Sequence, residues 1–343
     1  MLSIPTNQEA RPSVDDFLGP GENRFFGLGF RRVSYTHSDI LVSSSPENHK
    51  SVQVSANLKV QYPEDWSKKG SGRKLRPHFS TIDGLVTAAE LTELCIIDHQ
   101  GDGTDKTSSA WLRSVRISAG SEPMEDLGRI PLHAVRRSCA PWADDPTWSV
   151  SIVDNAIGNM RVRCEVVHPA TRTTPGEYAY RTPDDVLGDA ADRYFARGFT
   201  SRRQEVRNVV VDPGTLRAEA DLSVVPDGRY ARSSRGLEGG YQPSVSMVDG
   251  FVTALQLAQV MLYDLDDMRR QDSDTLWMRQ TTLSAARPDR PSVEGVRVST
   301  GIAEPNRVRM GGFHWRTGDI VGDLGGVRVK CAVAHRLREG EDR

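Results

Sequence analysis

Apolar residues near the middle of the second half recur at Phe251, Leu255, Ala258, Leu262 and Leu265, the spacing of one helical stripe. Val252, Leu257 and Met261 widen the stripe until the helix is apolar most of the way round, which predicts burial on nearly all sides. The helix lies within Tyr241–Asp266, YQPSVSMVDGFVTALQLAQVMLYDLD, after a short polar lead-in and an Asp-Gly pair. The same pattern stands earlier, in Arg76–Asp98, RPHFSTIDGLVTAAELTELCIID. Setting Asp83-Gly84 on Asp249-Gly250 gives an offset of 166 (249 − 83), at which Pro77 falls on Pro243, Val86 on Val252 and Thr87 on Thr253.

Three further segments repeat at nearly the same distance. DDFLGPGENRFFGLGF (Asp15–Phe30) pairs with DDVLGDAADRYFARGF (Asp184–Phe199) at an offset of 169 (184 − 15). A Trp-x-Arg strand follows each helix, in Ser108–Ser118 and Asp274–Ser284, and MRVRCEVVH (Met160–His168) returns as VRVKCAVAH (Val327–His335). Such steady offsets predict a tandem duplication: repeat 1 over 14–172, a linker over 173–182, repeat 2 over 183–337, and tails at 1–13 and 338–343. Pro, Thr and Gly in Pro169–Thr182 mark the joint. In each half a strand pair (Ser51–Gln61 and Leu216–Val225 are its clearest pieces) precedes the helix, and three or four strands with Val/Ile/Thr alternation follow it. Sequential strands without intervening helices pair antiparallel. The expectation is an α+β architecture in which a curved antiparallel sheet wraps one long central helix, made twice. A fused pair keeps the two-fold contact of its homodimeric ancestor, so the chain is expected as a monomeric pseudo-dimer or a homodimer.

Composition narrows the function classes. The 343 residues are 37% hydrophobic and 26% charged, within the range of globular proteins. A net charge of −2 supplies no field toward nucleic acid or anionic membrane, so neither is an expected partner. No apolar run approaches a membrane-spanning length, and the opening MLSIPTNQEARPS lacks a basic region followed by an apolar core, which together predict a cytoplasmic protein. Cys95, Cys139, Cys164 and Cys331 lack C-x-x-C spacing and read as reduced thiols. Cys164-x3-His168 and Cys331-x3-His335 contain a zinc-type ligand set, yet strand positions four apart are separated by about 13 Å, too far for one pair to chelate. No G-x-G-x-x-G follows a strand, and no metal, flavin or nicotinamide cofactor is expected.

The lead-in Pro77-His78-Phe79, then Asp83-Gly84 and an apolar helix, resembles the opening of the central helix in the hotdog fold. Two such units in one chain resemble a double hotdog. DDFLGPGENRFFGLGFRRVSYT together with HFSTIDGLVTAAELTEL is similar to the AvrD family, the avirulence proteins of syringolide biosynthesis, over the length of the chain. That resemblance implies an enzyme joining a β-ketoacyl thioester, carried by acyl carrier protein or coenzyme A, to a small ketose such as xylulose, as in butenolide biosynthesis. The A-factor synthases are its cousins in mechanism. Two departures from the hotdog dehydratase pattern count against simple dehydration: the prolines around the helix start are absent, and Glu90 sits one position later than the dehydratase carboxylate. An (R)-specific 3-hydroxyacyl thioester dehydratase or enoyl hydratase, and a non-catalytic acyl-binding protein, remain the alternatives.

Within the motifs, His78 is the candidate base, because its counterpart in the other half is Ser244 and an unequal pair points to a site kept in one half. Asp83 and Asp249 occur in both halves and read either as helix N-caps or as carboxylates serving the base. Gly84 and Gly250 allow close approach of a thioester carbonyl to helix N–H groups, or else close packing on the sheet. Trp111, Arg113, Trp277 and Arg279 place Trp and Arg on one strand face, with the arginines as candidate contacts for phosphopantetheine or sugar hydroxyls. Glu90 completes the candidate substrate contacts.

Overall fold

Period-two burial in the strands and all-round burial in the two long helices together force a sheet to curl around each helix. The computed structural model describes residues 12–45, 51–67, 76–100, 107–228, 234–270, 273, 276–290 and 295–337. The expected tails lie almost wholly outside the described residues, as do Asp274 and Thr275. The chain runs α1 (Val14–Leu18), β1 (Ser34–Ser44), β2 (Val52–Gln61), α2 (Thr81–Ile96), β3 (Trp111–Ser118), β4 (Ile130–Pro141), β5 (Trp148–Ile157), β6 (Met160–Pro169) and β7 (Gly176–Tyr180). It continues α3 (Asp184–Leu187), β8 (Arg202–Asp212), β9 (Arg217–Pro226), α4 (Met247–Leu265), β10 (Trp277–Ala285), β11 (Val296–Met310), β12 (Phe313–Leu324) and β13 (Val327–Arg336).

All thirteen described strands form one sheet, in the order β7-β1-β2-β4-β5-β6-β3-β10-β13-β12-β11-β9-β8. Counted outward from the β3–β10 pair, both halves have the same order: β6, β5, β4, β2, β1 on one side and β13, β12, β11, β9, β8 on the other. Arg116 and Thr282, set in correspondence by the offset of 166 (282 − 116), face each other at the centre of the antiparallel β3–β10 ladder. That is the geometry of an isologous contact. The expected linker is not free of structure. Its residues 176–180 form β7, which pairs with β1 from Ile40↔Tyr180 to Ser44↔Gly176 and satisfies an edge that would otherwise present unpaired backbone groups.

Every residue of α2 is buried, as the apolar pattern requires. On α4 the only residue before Tyr263 that escapes full burial is Gln259, and Tyr263, one turn on, lies on the same side, so one narrow face is left uncovered by the sheet. Both helices start with a capping box, and here the structure corrects the sequence reading. The N-caps are Ser80 and Ser246, whose side chains accept from the N–H groups of Asp83 and Asp249; the two aspartates sit three residues in and accept from the serine N–H groups in return. Among the described residues no helix is long and apolar enough to cross a membrane.

The segments that open each half cross to the opposite helix. Arg24 Nη1 donates to Gln256 Oε1 of α4 at 2.7 Å while its Nη2 meets Asp15; Arg193 Nη1 donates to Glu90 Oε1 of α2 at 2.8 Å and its Nη2 meets Asp184 at 2.7 Å. Glu90, expected at the substrate, is therefore buried in an ion pair that clasps the two halves, because the opening segment of the second half brings a guanidinium to it.

Candidate functional site

The lead-in to α2 reaches the seam between the halves, and a cavity of about 160 Å3 opens in front of the helix N-terminus. His78, Phe79, Ser80 and Thr81 line one side, with Phe25, Phe26 and Trp66 beside them, Met124 from the loop between β3 and β4, Asn159 from the turn between β5 and β6, and Met160 at the start of β6. The second half contributes Gln259 and Tyr263, from the uncovered face of α4, and Trp277, Met278 and Arg279 from β10. Arg24, Arg270 and Glu122 add charge to a lining that is otherwise largely apolar and aromatic, the mixture expected of a site that binds one apolar body and orients a few polar atoms.

His78 is held by aromatic rings. Trp277 stacks on its imidazole (centroids 6.1 Å apart, planes 16° apart), and Trp66 meets it edge-on at 6.2 Å. Below it, Tyr62 Oη lies 2.9 Å from the His78 carbonyl oxygen and also contacts Asp83 Oδ2; Tyr35 Oη donates to Asp83 Oδ1 at 2.6 Å. A phenol has one proton, so Tyr62 cannot donate to both of its acceptors. Both contacts are made at once if Asp83 is protonated, donating to Tyr62 while Tyr62 donates to the His78 carbonyl. Burial pushes the Asp83 carboxyl up, against the pull of its hydrogen bonds, in the direction that this proton count requires. Asp83 thus supports the backbone at His78 and does not reach the imidazole through any described contact.

The sign of the pH effect follows from the raised carboxyl. The unfolded chain loses this proton first as pH rises past the ordinary carboxylate range, so the stability associated with Asp83 declines toward neutral pH. Asp83→Asn, which keeps a donor at the same place, is expected to stay within about 1 kcal/mol of the parent at pH 7 and to flatten that decline. Denaturant midpoints across pH 4 to 7 check it, and a steeper decline in the variant would show that Asp83 is ionised in the fold.

The corresponding place in the second half is filled. Ser244 Oγ donates to the Pro288 carbonyl, and the buried Arg290 reaches the Val245 carbonyl and pairs with buried Glu238 at 3.0 Å. Arg290 falls on Met124 at the offset of 166 (290 − 124), so a lining methionine in one half corresponds to a plugging arginine in the other. Asp249 lies away from the cavity, ion-paired with Arg202 at 3.3 Å and accepting from Gln204 at 2.7 Å. Of the residues singled out in the sequence, the structure brings His78, Trp277 and Arg279 to the cavity and leaves Asp249, Glu90, Trp111 and Arg113 out of its lining.

Two further expectations are corrected. The Gly84 and Gly250 N–H groups donate to the Ser80 and Ser246 carbonyls at 3.0 Å, so they are not turned toward a substrate. The first-turn donor at the cavity belongs to Thr81, ahead of the first helical hydrogen bond. Both glycines instead permit close packing. A Cβ on Gly84 would meet Met160 Sδ, the movable end of a flexible side chain, whereas one on Gly250 would lie 2.9 Å from Val327 Cβ, next to the β13 backbone. Gly250→Ala is accordingly expected to cost about 1–3 kcal/mol and Gly84→Ala less, by denaturant unfolding; the reverse order would rule out this packing account. In the first Trp-x-Arg strand the two side chains part, whereas Trp277 and Arg279 both line the cavity. A bulge between Leu112 and Ser114, matched between Met278 and Gln280, breaks the alternation: Trp111 is buried, while Arg113 turns outward to Glu165 at 3.3 Å. The two Cys-x3-His runs also go separate ways, His168 to Ser151 and His335 to Asp266, and among the described residues no three His, Cys, Asp or Glu side chains gather as a metal-binding group.

Tyr35 and Tyr62 are not singled out by the motifs, although a signal for one exists. Tyr35 falls on Gln204 at the offset of 169 (204 − 35), and these two residues hold the two aspartates, Tyr35 on Asp83 and Gln204 on Asp249. Phe25, Phe26, Trp66 and Tyr263 read in sequence as ordinary core aromatics.

Solved structures similar to this chain include a tesB protein, a protein described as having a hot dog fold and a dehydratase domain. A tesB protein of Mycobacterium avium subs paratuberculosis is 10% identical, over 83% of this chain and 93% of that one, with a TM-score of 0.35. A hot dog fold protein of unknown function from Alicyclobacillus acidocaldarius is 7% identical over 87% and 95%, with a TM-score of 0.31. The dehydratase domain from the CurJ module of the curacin polyketide synthase is 12% identical over 86% and 95%, again with a TM-score of 0.31. Among curated proteins no match is found. The family model described as Pseudomonas avirulence D protein (AvrD) matches residues 9–338, nearly the whole chain. The chain belongs to the AvrD family.

Proposed function

We propose that this chain is a double hotdog produced by tandem duplication, and that it is a butenolide-forming enzyme which condenses a β-ketoacyl thioester with a small ketose such as xylulose. A ketose hydroxyl attacks the thioester carbonyl, the carrier leaves as its thiol, and an ester forms. The carbon between the two carbonyls then loses a proton and closes onto the sugar ketone, and water is expelled. Each step gathers negative charge on the ester carbonyl oxygen, which suits the N–H group of Thr81 at the start of α2. His78 takes the proton from the hydroxyl and later from carbon, with Trp277 and Trp66 fixing its ring and Tyr62 and Asp83 fixing its backbone. The carrier is acyl carrier protein or coenzyme A; Arg270 and the exposed Arg279, on the cavity lining, suit its phosphate groups.

The observation that supports this reading is the inequality of the two halves: an imidazole faces a seam cavity in one, and a buried Arg290–Glu238 pair occupies the corresponding place in the other. Mass spectrometry of the products from a β-ketoacyl thioester and xylulose tests it. The expected product contains both carbon skeletons, less the carrier thiol and one water. Hydration of a crotonyl thioester without coupling would make the protein a hydratase, and tightly held acyl ligand without turnover would make it a binding protein.

A further inference from the structure

Glu90 and Glu93 of α2 fall on Gln256 and Gln259 of α4 at the offset of 166 (256 − 90 and 259 − 93), so two carboxyls of one helix are two amides in the other. The first pair is spent on the clasp, Glu90 on Arg193 and Gln256 on Arg24. The second pair meets two different surroundings. Glu93 is buried and accepts from Thr107 Oγ1 at 2.6 Å. Leu112, on the same side, gives its N–H to buried Glu238 at 3.1 Å, whereas its counterpart Met278 (278 − 112 = 166) lines the seam cavity. Gln259 is half-buried on that cavity, and its amide has no hydrogen-bond partner among the described residues. Ser273, which matches Thr107 at the same offset (273 − 107), reaches Tyr263 Oη at 3.1 Å instead.

A polar side chain left unsatisfied on a cavity wall is met by water or by a ligand. An amide offers two N–H donors and one acceptor, and it has no proton to give up near neutral pH. In the condensation proposed above, His78 takes a proton from the carbon between two carbonyls, and the electron pair spreads over both carbonyl oxygens. The Thr81 N–H serves one of them. Resting on that reading, we propose that Gln259 Nε2–H donates to the other, the β-keto oxygen, and that an amide stands here because the group it binds becomes an anion. Gln259 neither gains nor loses a proton. The C–H bond breaks, its proton goes to His78 and its electron pair forms the enolate, which the new carbon–carbon bond to the sugar ketone then consumes. A carboxylate at this position, such as Glu93 supplies in the other helix, repels the enolate and works against its formation.

The test follows enolate formation by itself. The full-length protein is mixed with a β-ketoacyl pantetheine thioester in deuterium oxide without ketose, and mass spectrometry follows deuterium entering between the carbonyls, above the rate without protein. Gln259→Met keeps the length of the side chain and removes its donors, and is expected to slow exchange about 10²-fold with KM within about threefold of the parent. Gln259→Glu is expected to slow it at least as much at about pH 7, and to recover relative to the parent toward about pH 5, where its carboxyl regains a proton and donates again. Should Gln259→Met fail to fold, Gln259→Glu, of nearly the parent's shape, decides. Exchange by Gln259→Met within about threefold of the parent, a loss confined to KM, or a Gln259→Glu deficit that does not change with pH would each overturn the proposal. Repeating the assay with xylulose separates the two readings. A parent that exchanges but forms no coupled product loses the condensation and keeps the donor; a parent that forms product while both variants exchange at its rate loses the donor alone.

Discussion

Arg193→Met is expected to cost about 3–5 kcal/mol of folding stability, and Arg24→Met, at the matching position of the other half, only about 1–3 kcal/mol. The two arginines perform the same crossing, and the difference lies in what each leaves behind. Without Arg193, the Glu90 carboxylate stays inside α2 with no described counter-charge but that of His37, whose Nδ1 lies 3.8 Å away and whose own burial disfavours its charged form. Asp184, the other partner, is half exposed and water can solvate it. Without Arg24, the helix loses a bond to the neutral Gln256, and Asp15 is likewise half exposed. An unpaired buried amide costs much less than an unpaired buried carboxylate. Denaturant midpoints at unchanged slope measure both losses. Adding Glu90→Gln to Arg193→Met is expected to recover most of the larger one, since it removes the stranded charge. Equal losses in the two single variants, or no recovery in the double, would mean that the clasp works by packing and not by charge.

The sequence was a good guide wherever one side chain's character decides one local outcome. Apolar residues all round α2 and α4 leave no surface to expose, so their burial follows directly. Val/Ile/Thr alternation likewise identifies the strands that cover them. Contacts made between the halves are harder to read, because they depend on which atoms arrive from far along the chain. Glu90 has no nearby residue announcing that Arg193, 103 positions on, will pair with it. Asp83 and Asp249 look alike in their own motifs, and only Tyr35, Tyr62, Gln204 and Arg202, delivered by the first strand of each half and the loop after β2, make their surroundings different. The first Trp-x-Arg motif misled for a local reason: a single inserted residue in the pairing turns Arg113 outward, and nothing in W-x-R distinguishes a bulged strand from a regular one. Where the two halves differ at matched positions, however, the sequence does carry site information. His78 against Ser244, Tyr35 against Gln204, and Met124 against Arg290 all lie at or beneath the open seam.

His78→Ala is expected to lower turnover by about 10²–10⁴-fold while KM for the thioester changes little, the signature of a lost proton transfer. The substitution removes the base and leaves the rest of the cavity in place: Trp277 and Trp66 keep their backbone positions, and the Tyr62 bond goes to the His78 carbonyl, which alanine retains. Tyr62→Phe separates positioning from chemistry. It is expected to reduce kcat by a smaller factor, because the imidazole remains but the loop carrying it loses one anchor and Asp83 loses one partner. Ser244→Ala serves as the matched control, since its hydroxyl is spent on the Pro288 carbonyl far from the reacting atoms. Steady-state kinetics on β-ketoacyl thioester and ketose, with single-turnover traces to isolate the chemical step, separate the three variants. If His78→Ala turns over at the parent rate, the proton must pass to another group on the lining; if Ser244→Ala falls as far as His78→Ala, the inequality between the halves has been assigned to the wrong side. A loss confined to KM would make His78 a binding residue, with its stacked ring serving as a wall of the cavity and not as the base.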